Sequence, residues 1–541
     1  MNQKSSVPAI LVLKQQAKFD QISESWSKEQ KTAFVFQSLK QTAEQSQKNI
    51  QAFLRSKNIG FRSNIIVNSI SLDLDNNLLN ELKSFDELAS IHYDENLRVP
   101  NTFTDNNLSI QKRGQEITWG NMSIKADQVW SLGYQGQGVT VAGEDTGYKW
   151  DIDGIKSSYR GWNGISENHN YNWHDAIHKI HPLSQDSINP CGLNLTVPCD
   201  DHGHGTHTAG TMVGQNQDHA HGVAPKAKWI GCRNMERGYG TPSSYIECFD
   251  FFLAPTDLNN ENPKPELAPH VINNSWYCSN EEGCDTFNLA LMEQAISNLK
   301  SAGIVVVVSA GNSGNQCGTI AYPPAMFSTS FTIGSYASND TISGFSSIGP
   351  VYRDSSLRIK PNVVAPGSEV LSQLPDGSFQ AWNGTSMAAP HVAGLVALMI
   401  SANPELSGNV KKIEHIIESS ARFMPSTVEC SGLDPNARPN IMYGYGKIDA
   451  LSAVKQSLAV VNSKDVLSSK GIEIYPNPGN AVLNINSNQI LGQIKIFNFY
   501  GQIKTSLFSN ENSVKISTQN WSPGFYIIEL TNGKKYAWLK N

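Results

Sequence analysis

Two short, fully apolar runs that end in polar residues and glycine constrain the fold of this chain most strongly. They are "GVTVAGEDTG" and "AGIVVVVSAGN". Such runs are typical of strands that are buried on both faces, as in a parallel sheet. "GTHTAGTMVG" and "TSMAAPHVAGLVALMIS" are rich in small and apolar residues, which suits helices packed closely on a sheet. We therefore predict an α/β domain over residues 113–458, with a mostly parallel sheet flanked by helices.

The segments on either side of this region follow other patterns. Residues 1–112 combine a strand-like "VPAILVL", helical spacing over 28–58 and an alternating "VNSISLDLD", which predicts a small α+β unit. This unit ends in "RVPNTFTDNNLSIQKRGQ", a polar and aperiodic stretch that indicates an exposed linker. Residues 459–541 begin with the polar "VVNSKDVLSSK", which indicates a linker, and continue with alternating segments separated by Asn, Gly and Pro, which predicts a β-sandwich.

Length and charge exclude several classes of protein. The chain has 541 residues, too many for one ordinary core, which agrees with three units. Its net charge is only −6 and it carries no basic stripe, so a nucleic-acid partner is not expected. We expect no membrane span, since no apolar run approaches the ~18 residues that one needs. "VPAILVL" is too short for a secretory signal; if the protein is exported, its signal peptide has been left out of this chain.

The eight cysteines all lie between Cys191 and Cys430. An even set with local spacing favours disulfides and an oxidising compartment. Buried or metal-binding thiols are the alternative, and the absence of Cys-x-x-Cys disfavours zinc. We expect three local pairs and, by elimination, a fourth: Cys191 with Cys199, Cys232 with Cys248, Cys278 with Cys284, and Cys317 with Cys430.

"DHGHGTHTAGT" places His202, His204 and His207 within six positions. Neutral imidazole is the commonest metal ligand, and His-x-His-x-x-His is a plausible zinc spacing. One hypothesis is therefore a metallohydrolase, although metallo-β-lactamase-type sites have Asp where this chain has Thr206. The other hypothesis is that one histidine is a catalytic base.

Three further polar residues are predicted near the carboxyl ends of the parallel strands, where the active residues of such sheets lie. Asp145 ends the first apolar run, Asn312 follows the second, and Ser386 falls at the start of a helix. A serine hydroxyl needs a base, the base needs an orienting acid, and the oxyanion needs a donor. With His204, these residues supply one group for each role. A non-enzymatic binding protein is a third hypothesis, and the filling of all four roles counts against it.

The motifs that carry these residues resemble those of the subtilisin-type serine proteases, the subtilases. "DTG", "HGTHTAGT", "SAGN" and "NGTSMAAPHVAG" occur in the family's order. The resemblance implies a subtilisin-like fold and a serine endopeptidase that needs no cofactor for its chemistry. Asp145 would orient the base, His204 would be the base, Ser386 would attack and Asn312 would stabilise the oxyanion. His207 would then be structural, and His202 a loop residue near the site.

The resemblance also places the substrate-binding residues. It implies that Ser275 and Trp276 lie on the strand that pairs with substrate, and that the pocket for the residue preceding the cut is lined by Ala310, Gly311 and Ala321. No acidic side chain is placed in this pocket. We therefore expect the substrate residue that precedes the cut to be apolar or aromatic rather than Lys or Arg. The chain departs from the family at Tyr277, where glycine is usual, in "CSNEEGC", and in the long cysteine-bearing stretch 170–200.

Calcium loops are common in the family, but no acidic cluster here matches one well. Asp151 with Asp153, or Asp200 with Asp201, are the candidate calcium ligands. Solvated turn residues are the favoured interpretation of both pairs.

Both flanking units fit a secreted enzyme. Residues 1–112 resemble a subtilase propeptide, which assists folding and then inhibits. Residues 459–541 resemble the C-terminal sorting domain of type IX secretion substrates, through "IYPNP" and "SPGFYIIEL"; a generic adhesion or carbohydrate-binding sandwich is the alternative. The resemblance implies a bacterial zymogen that is secreted or displayed at the cell surface. Its partners would be protein or peptide substrates, its own propeptide and the type IX machinery.

Overall fold

The structure is a computed structural model, and it describes residues 6–94, 116–184, 188–278, 289–468, 472–476, 479–487, 489–498, 502–531 and 535–540. The chain divides into two compact units, Met1–Val454 and Lys455–Asn541. The predicted linker, residues 98–115, lies outside the described residues.

The N-terminal part of the first unit is a four-stranded sheet with helices, as predicted. Its elements are β1 (Val7–Leu13), α1 (Lys28–Ser46), α2 (Lys48–Ser56), β2 (Phe61–Asn64), β3 (Ser69–Leu74), α3 (Asn76–Leu82) and β4 (Leu88–Tyr93). The strand order is β2-β3-β1-β4. The single helix predicted over 28–58 is wrong, since it breaks at Gln47. The buried amide of Gln47 donates to Asn64 O and Asn68 Oδ1, which ties the break to the sheet.

The rest of the first unit contains the elements of the predicted α/β domain. They are β5 (Glu116–Ile117), α4 (Trp119–Ser123), α5 (Ala126–Ser131), β6 (Thr140–Asp145), α6 (Asp153–Lys156), β7 (Trp173–Asp175), α7 (His204–Val213), β8 (His219–Ala220), β9 (Lys228–Arg233), β10 (Met235–Glu236), β11 (Tyr239–Gly240), α8 (Pro242–Leu253), β12 (Val271–Asn274), α9 (Leu289–Ser301), β13 (Val305–Ser309), β14 (Phe331–Tyr336), β15 (Val363–Pro366), β16 (Val370–Gln373), β17 (Phe379–Trp382), α10 (Thr385–Ala402), α11 (Val410–Ser420) and the start of α12 (Ala450–Ser468).

A seven-stranded sheet forms the centre of this unit, in the order β15-β14-β13-β12-β6-β9-β7. Neighbouring strands in it pair in parallel. This confirms the prediction of a mostly parallel sheet flanked by helices. The two apolar runs are β6 and β13, on either side of β12, so their polar ends lie at one edge of the sheet.

Helix α10 is long and apolar enough to cross a membrane by length and composition, and it is the one helix among the described residues that meets this test. The expectation that no apolar stretch approaches this length was therefore wrong for α10. Most of the helix is buried within the fold, as expected of a core helix that packs on the central sheet.

The N-terminal sheet and helix α1 pack directly on the α/β part of the same unit. Apolar side chains of the two parts share one core cluster, to which the N-terminal part contributes Ile10, Val12, Val35, Phe36, Leu39, Ile66 and Val67. Polar contacts surround this cluster. The backbone N–H groups of Ile65 and Ile66 donate to the Asp250 carboxylate, and Lys28 Nζ donates to Ala268 O over 2.6 Å.

Three of the expected disulfides are confirmed: Cys191–Cys199, Cys232–Cys248 and Cys317–Cys430. Cys278 is also disulfide-bonded. Its expected partner, Cys284, lies outside the described residues.

The second unit contains two antiparallel sheets, as predicted for a β-sandwich. Its strands are β18 (Ile472–Tyr475), β19 (Val482–Ser487), β20 (Gly492–Asn498), β21 (Ile503–Ser509), β22 (Ser513–Ser517), β23 (Gly524–Leu530) and β24 (Lys535–Lys540). The strand orders are β18-β19-β22 and β21-β20-β23-β24, and both sheets contribute to one apolar core.

The polar stretch after residue 458 is not the linker that the sequence suggested. Helix α12 continues through it to Ser468. The stretch contains neither glycine nor proline, so nothing in it stops a helix.

Candidate active site

The carboxylate of Asp145 and the imidazole of His204 form the centre of the site. Asp145 ends β6 and His204 begins α7. His204 Nδ1 lies 2.7 Å from Asp145 Oδ1. The Thr146 N–H also donates to Oδ1, and the Thr208 hydroxyl to Oδ2. The carboxylate is therefore fixed on both oxygens and can hold the ring with Nε2 directed away from it.

Asp200 connects the two residues of this pair. Its carboxylate accepts hydrogen bonds from the N–H groups of Gly203 and Thr206 at the start of α7. It also accepts one from the hydroxyl of Thr146, which follows Asp145. From the sequence, Asp200 is a candidate calcium ligand or, in the favoured interpretation, a solvated turn residue. Its role at the start of α7 is not predicted, although an Asp ahead of a glycine-rich helix start is a recognisable capping signal.

The charge of His204 depends on opposing effects. Burial disfavours the imidazolium, but the charge of Asp145, its hydrogen bond to the ring and the charge of Asp200 raise the pKa of His204 above its usual 6.5. A base must be neutral to accept a proton, so activity requires a pH above this raised pKa.

We therefore expect kcat/KM to fall as the pH drops, with an acid limb whose midpoint lies above 6.5. Asp145→Asn should move that midpoint downward, because it removes the negative charge that favours the imidazolium. The measurement is kcat/KM on one peptide substrate between about pH 5 and 9. An acid limb that is unchanged in Asp145→Asn would contradict the assignment of this limb to His204.

Ser386 lies in the first turn of α10 and is tied to Ser275. Its hydroxyl donates to Ser275 O over 2.9 Å, and the Ser275 hydroxyl donates to Ser386 O over 2.8 Å. Asn273 Nδ2 donates in turn to Ser275 Oγ over 2.8 Å. Ser275 and Trp276, which were expected on a strand that pairs with substrate, lie just after the end of β12. Ser275 is thus joined to Ser386 by a reciprocal pair of hydrogen bonds.

Asn312 stands beside the same turn. Its Oδ1 accepts hydrogen bonds from the N–H and the hydroxyl of Thr385, both at 2.9 Å. These bonds fix the orientation of the amide and leave Nδ2 as the donor next to Gly384, where an added Cβ would lie 3.5 Å from it. A developing negative charge near Ser386 can be met by this amide.

The three histidines have different partners, which the zinc hypothesis does not predict. His204 binds Asp145, whereas His207 is fully buried, stacks on Trp382 at 4.7 Å between ring centroids and donates from Nε2 to Gln380 O. Burial lowers the pKa of His207 to about 3. His202 has an exposed ring. Within the described ranges, no cluster of three or more His, Cys, Asp or Glu is placed to hold a metal.

Three of the four candidate calcium ligands are engaged with the protein itself. Asp201 forms a buried ion pair with Arg233, Asp200 binds the start of α7, and Asp151 pairs with Lys149 at 2.8 Å.

The residues expected to line the pocket for the residue before the cut lie in the connection between β13 and β14. Ala310 is buried, whereas Gly311 and Ala321 are partly exposed. Arg353, which the sequence interpretation did not single out, donates to Ala321 O over 3.1 Å and lies 5.6 Å from the centre of the Tyr322 ring. A positive charge therefore stands beside this pocket.

Gly147 shows why the "DTG" turn ends in glycine. Its φ is +111°, and an added Cβ would lie 1.8 Å from Cys199 O. The cysteine-bearing stretch 170–200 thus packs against the turn that holds Asp145, and it leaves no space for a side chain at this position.

Comparisons with known proteins agree with this geometry. Residues 136–446, more than half of the chain, match the profile described as the subtilase family. The chain belongs to the subtilase family. Residues 473–540 match a secretion system C-terminal sorting domain, which indicates secretion or display at the cell surface. Both matches fall inside the regions predicted as 113–458 and 459–541, whose boundaries remain predictions.

Among individual subtilases, the chain is 32% identical to Bacillopeptidase F of Bacillus subtilis (strain 168) over 457 residues. That match covers 81% of this chain but only 30% of the length of Bacillopeptidase F. It is 29% identical to Subtilisin DY of Bacillus licheniformis, over 63% of this chain and 100% of that protein. It is also 29% identical to Subtilisin E of Bacillus subtilis (strain 168), over 66% of this chain and 76% of that protein.

Proposed function

We propose that this protein is a secreted serine endopeptidase that is made as a self-processing zymogen. Asp145, His204 and Ser386 are its catalytic residues, and Asn312 is its oxyanion donor. The observation that carries the proposal is the hydrogen bond between His204 Nδ1 and Asp145 at the end of β6, with Ser386 in the first turn of α10. No cofactor takes part in the reaction.

The reaction follows from these contacts. His204 Nε2 takes the proton of Ser386 as Oγ leaves Ser275 O and attacks the carbonyl carbon of the substrate. Asn312 Nδ2 and the Ser386 N–H donate to the oxyanion that forms, at the positive end of the α10 dipole. The imidazolium, stabilised by Asp145, gives its proton to the leaving amine. Water then attacks the acyl group on Ser386, with His204 again as base, and releases the acid product.

The specificity proposal concerns the residue that precedes the cut. Ala310, Gly311 and Ala321 offer it a small apolar pocket, and the Arg353 guanidinium at Ala321 O disfavours a cationic side chain there. Ser275 and Trp276 would pair with the substrate backbone on the other side.

We expect a peptide library to be cut after apolar or aromatic residues, with little cleavage after Lys or Arg. The measurement is the sequence of the products by mass spectrometry. Arg353→Gln serves as the matched variant, and cleavage after Lys or Arg should rise in it. A profile of the unaltered enzyme dominated by basic residues would refute this proposal.

The N-terminal domain, which the sequence interpretation drew as residues 1–112, is proposed to inhibit the enzyme until it is cut off. This proposal is supported by the apolar core that the N-terminal domain shares with the α/β part of the same unit, and by the polar contacts around that core. Arg62 adds a partly buried contact, since it forms an ion pair with Glu247 on α8. Interfaces of this kind hold two folded parts together after the chain between them is cut.

A Ser386→Ala precursor is expected to fold and remain a single chain, because the first cut needs the nucleophile. The unaltered protein should cut its own chain between Arg98 and Ile117. The composition of this stretch is that of an exposed linker. Intact-mass and N-terminal sequence measurements on both purified proteins check this. Cleavage of the pure Ser386→Ala protein at the same bond would rule out self-processing.

The second unit is proposed to direct export through the type IX machinery, which rests on the match of residues 473–540. Removal of this region should retain the protein inside the cell without changing kcat of the purified enzyme.

A further inference from the structure

The disulfide Cys191–Cys199 belongs to the cysteine-bearing stretch 170–200, and the proposed mechanism does not use it. It closes a short loop, because its two cysteines are 8 positions apart. Cys199 is followed directly by Asp200 and Asp201, which precede helix α7. We call these three residues the 199–201 segment.

The 199–201 segment is bonded through its backbone to the turn that follows Asp145. Asp200 forms an antiparallel bridge with Gly147. The Tyr148 N–H donates to Cys199 O over 3.2 Å. A shift of the 199–201 segment would therefore move the turn that holds the catalytic acid.

The carboxylate of Asp200 joins this turn to the start of α7. Its Oδ1 accepts hydrogen bonds from the Thr146 hydroxyl over 2.8 Å and from the N–H groups of His202 and Gly203 over 3.0 and 2.7 Å. Its Oδ2 accepts from the N–H and the hydroxyl of Thr206 over 2.9 and 2.5 Å. All these partners donate, which suits an ionised carboxylate because it only accepts.

Both catalytic residues are part of the same network. The Gly205 N–H, which directly follows His204, donates to Thr146 Oγ over 3.1 Å. The Thr146 N–H donates to Asp145 Oδ1, the oxygen that His204 Nδ1 contacts. The Asp200 carboxylate therefore fixes the acid and the base relative to each other.

Arg233 attaches the 199–201 segment to the central sheet. It lies on β9, where it pairs in register with Asp145 of β6, and its side chain is fully buried. Its guanidinium forms an ion pair with Asp201 and donates to Gly192 O over 2.9 Å. Since Gly192 directly follows Cys191, Arg233 holds the disulfide loop near both of its ends.

The middle of the disulfide loop is bonded to β7. The Leu195 N–H donates to Asp175 Oδ2 over 2.7 Å, and Trp173 Nε1 donates to Leu195 O over 3.0 Å. Cys191 therefore lies on a segment that is fixed to the sheet, and the disulfide extends this restraint to Cys199.

We propose that the Cys191–Cys199 disulfide is a positioning element of the active site, which holds the 199–201 segment so that Asp200 keeps Asp145 and His204 in register. Asp200 is a positioning residue, because it acts through the two catalytic residues. Loss of the disulfide or of the Asp200 carboxylate displaces the base and lowers kcat, whereas substrate binding changes little. The inference rests on the proposed function, in which Asp145 and His204 are catalytic.

The first test is Asp200→Asn in the full chain, matured with an added active protease. Asparagine has nearly the same shape, but it replaces one accepting oxygen with a donor and cannot accept all of the hydrogen bonds. We expect kcat to fall by about 10- to 100-fold and KM to stay within about twofold, because the base is misplaced while the substrate-binding residues are not. Asp151→Asn is the matched control. It removes the same charge beyond the same turn, where Asp151 pairs with Lys149, and should keep kcat within about twofold.

The pH profile separates positioning of the base from a loss of stability. The charges of Asp145 and Asp200 raise the pKa of His204 against the effect of burial. The His202 ring lies 6.3 Å from that of His204 and is present in every variant. The acid limb of kcat/KM should therefore move to lower pH in Asp200→Asn and stay in place in Asp151→Asn.

The second test removes the disulfide by changing both cysteines, Cys191→Ser and Cys199→Ser. We expect a loss of kcat of about fivefold, smaller than in Asp200→Asn because the carboxylate is still present. Added to Asp200→Asn, the cysteine changes should cost less than about twofold more, since both act through one network.

A milder pair of variants tests the same link while the carboxylate stays in place. Thr206→Val removes the hydroxyl that donates to Asp200 Oδ2, and Thr206→Ser keeps it. Thr206→Ser should retain kcat within about twofold, whereas Thr206→Val should lose about fivefold.

The inference would be overturned by equal kcat in Asp200→Asn and Asp151→Asn, by losses that multiply fully when the cysteine changes are added, or by equal kcat in the two Thr206 variants. Labelling of the unaltered enzyme with a serine-directed fluorophosphonate separates these outcomes from failure of the proposed function. If Ser386 is labelled but the expected losses are absent, only the role of the 199–201 segment is wrong. If Ser386 is not labelled, the proposed function itself fails.

Discussion

His204→Ala should lower kcat on a peptide substrate by about 10⁶-fold, a loss known from subtilisin and expected here because the same roles are filled. Without the imidazole, no group takes the proton of Ser386. Ser386→Ala should cost a similar factor, and the double variant should be little worse than either, since the two residues act as a unit. The measurement is kcat for the three variants, matured with an added active protease because they cannot process themselves.

The neighbouring histidines provide the controls for this experiment. His207→Ala should act through packing, because His207 stacks on Trp382 in the interior; we expect a loss of about 1 to 3 kcal/mol in the free energy of unfolding. His202→Ala should keep substantial turnover, since its ring is exposed. Equal losses of activity at all three histidines, together with bound zinc, would instead support a metal site.

Asn312→Ala should lower kcat by about 10²- to 10³-fold and leave KM nearly unchanged. The amide of Asn312 is held by two hydrogen bonds from Thr385, so its donor atom Nδ2 is already oriented before the substrate binds. The oxyanion exists only in the transition state and the intermediate, so the loss falls on kcat.

Thr385→Val is the graded control for this donor. It removes the hydroxyl bond to Asn312 Oδ1 but keeps the bond from the Thr385 backbone, so we expect a smaller loss than in Asn312→Ala. Steady-state kinetics on one peptide substrate give both parameters. A loss in Asn312→Ala that falls mainly on KM would argue against an oxyanion role.

The central sheet could be predicted because its signal is local. The continuous apolar runs of β6 and β13 require burial on both faces, and that requirement alone indicates a parallel sheet. Because parallel strands end at the same edge of a sheet, the polar residues that follow them lie close together. Asp145 and Asn312 are therefore predictable as site residues from the sequence.

The supporting residues of the site could not be found in this way, because their roles depend on contacts between distant segments. Trp382 stacks on His207, although the two residues are 175 positions apart in the sequence. No periodic pattern in the sequence predicts such a contact. Asp200 likewise joins the start of α7 to Thr146, which lies 54 positions earlier in the chain.

Errors at element ends have a similar cause. Gln47 breaks the predicted helix over 28–58 because its amide is bonded to a strand that lies 17 residues further on. In the second unit, β21 and β24 were not predicted, and their place in the four-stranded sheet comes from pairing with β20 and β23.

The mass of the mature enzyme after treatment with a fluorophosphonate tests most directly whether Ser386 is the nucleophile. We expect one adduct per chain, located on Ser386 by peptide mapping. We also expect no adduct on Ser386→Ala, a much slower reaction of His204→Ala, and full activity after treatment with a zinc chelator. An enzyme that cleaves peptides without forming this adduct, and that stops when zinc is removed, would contradict this role of Ser386.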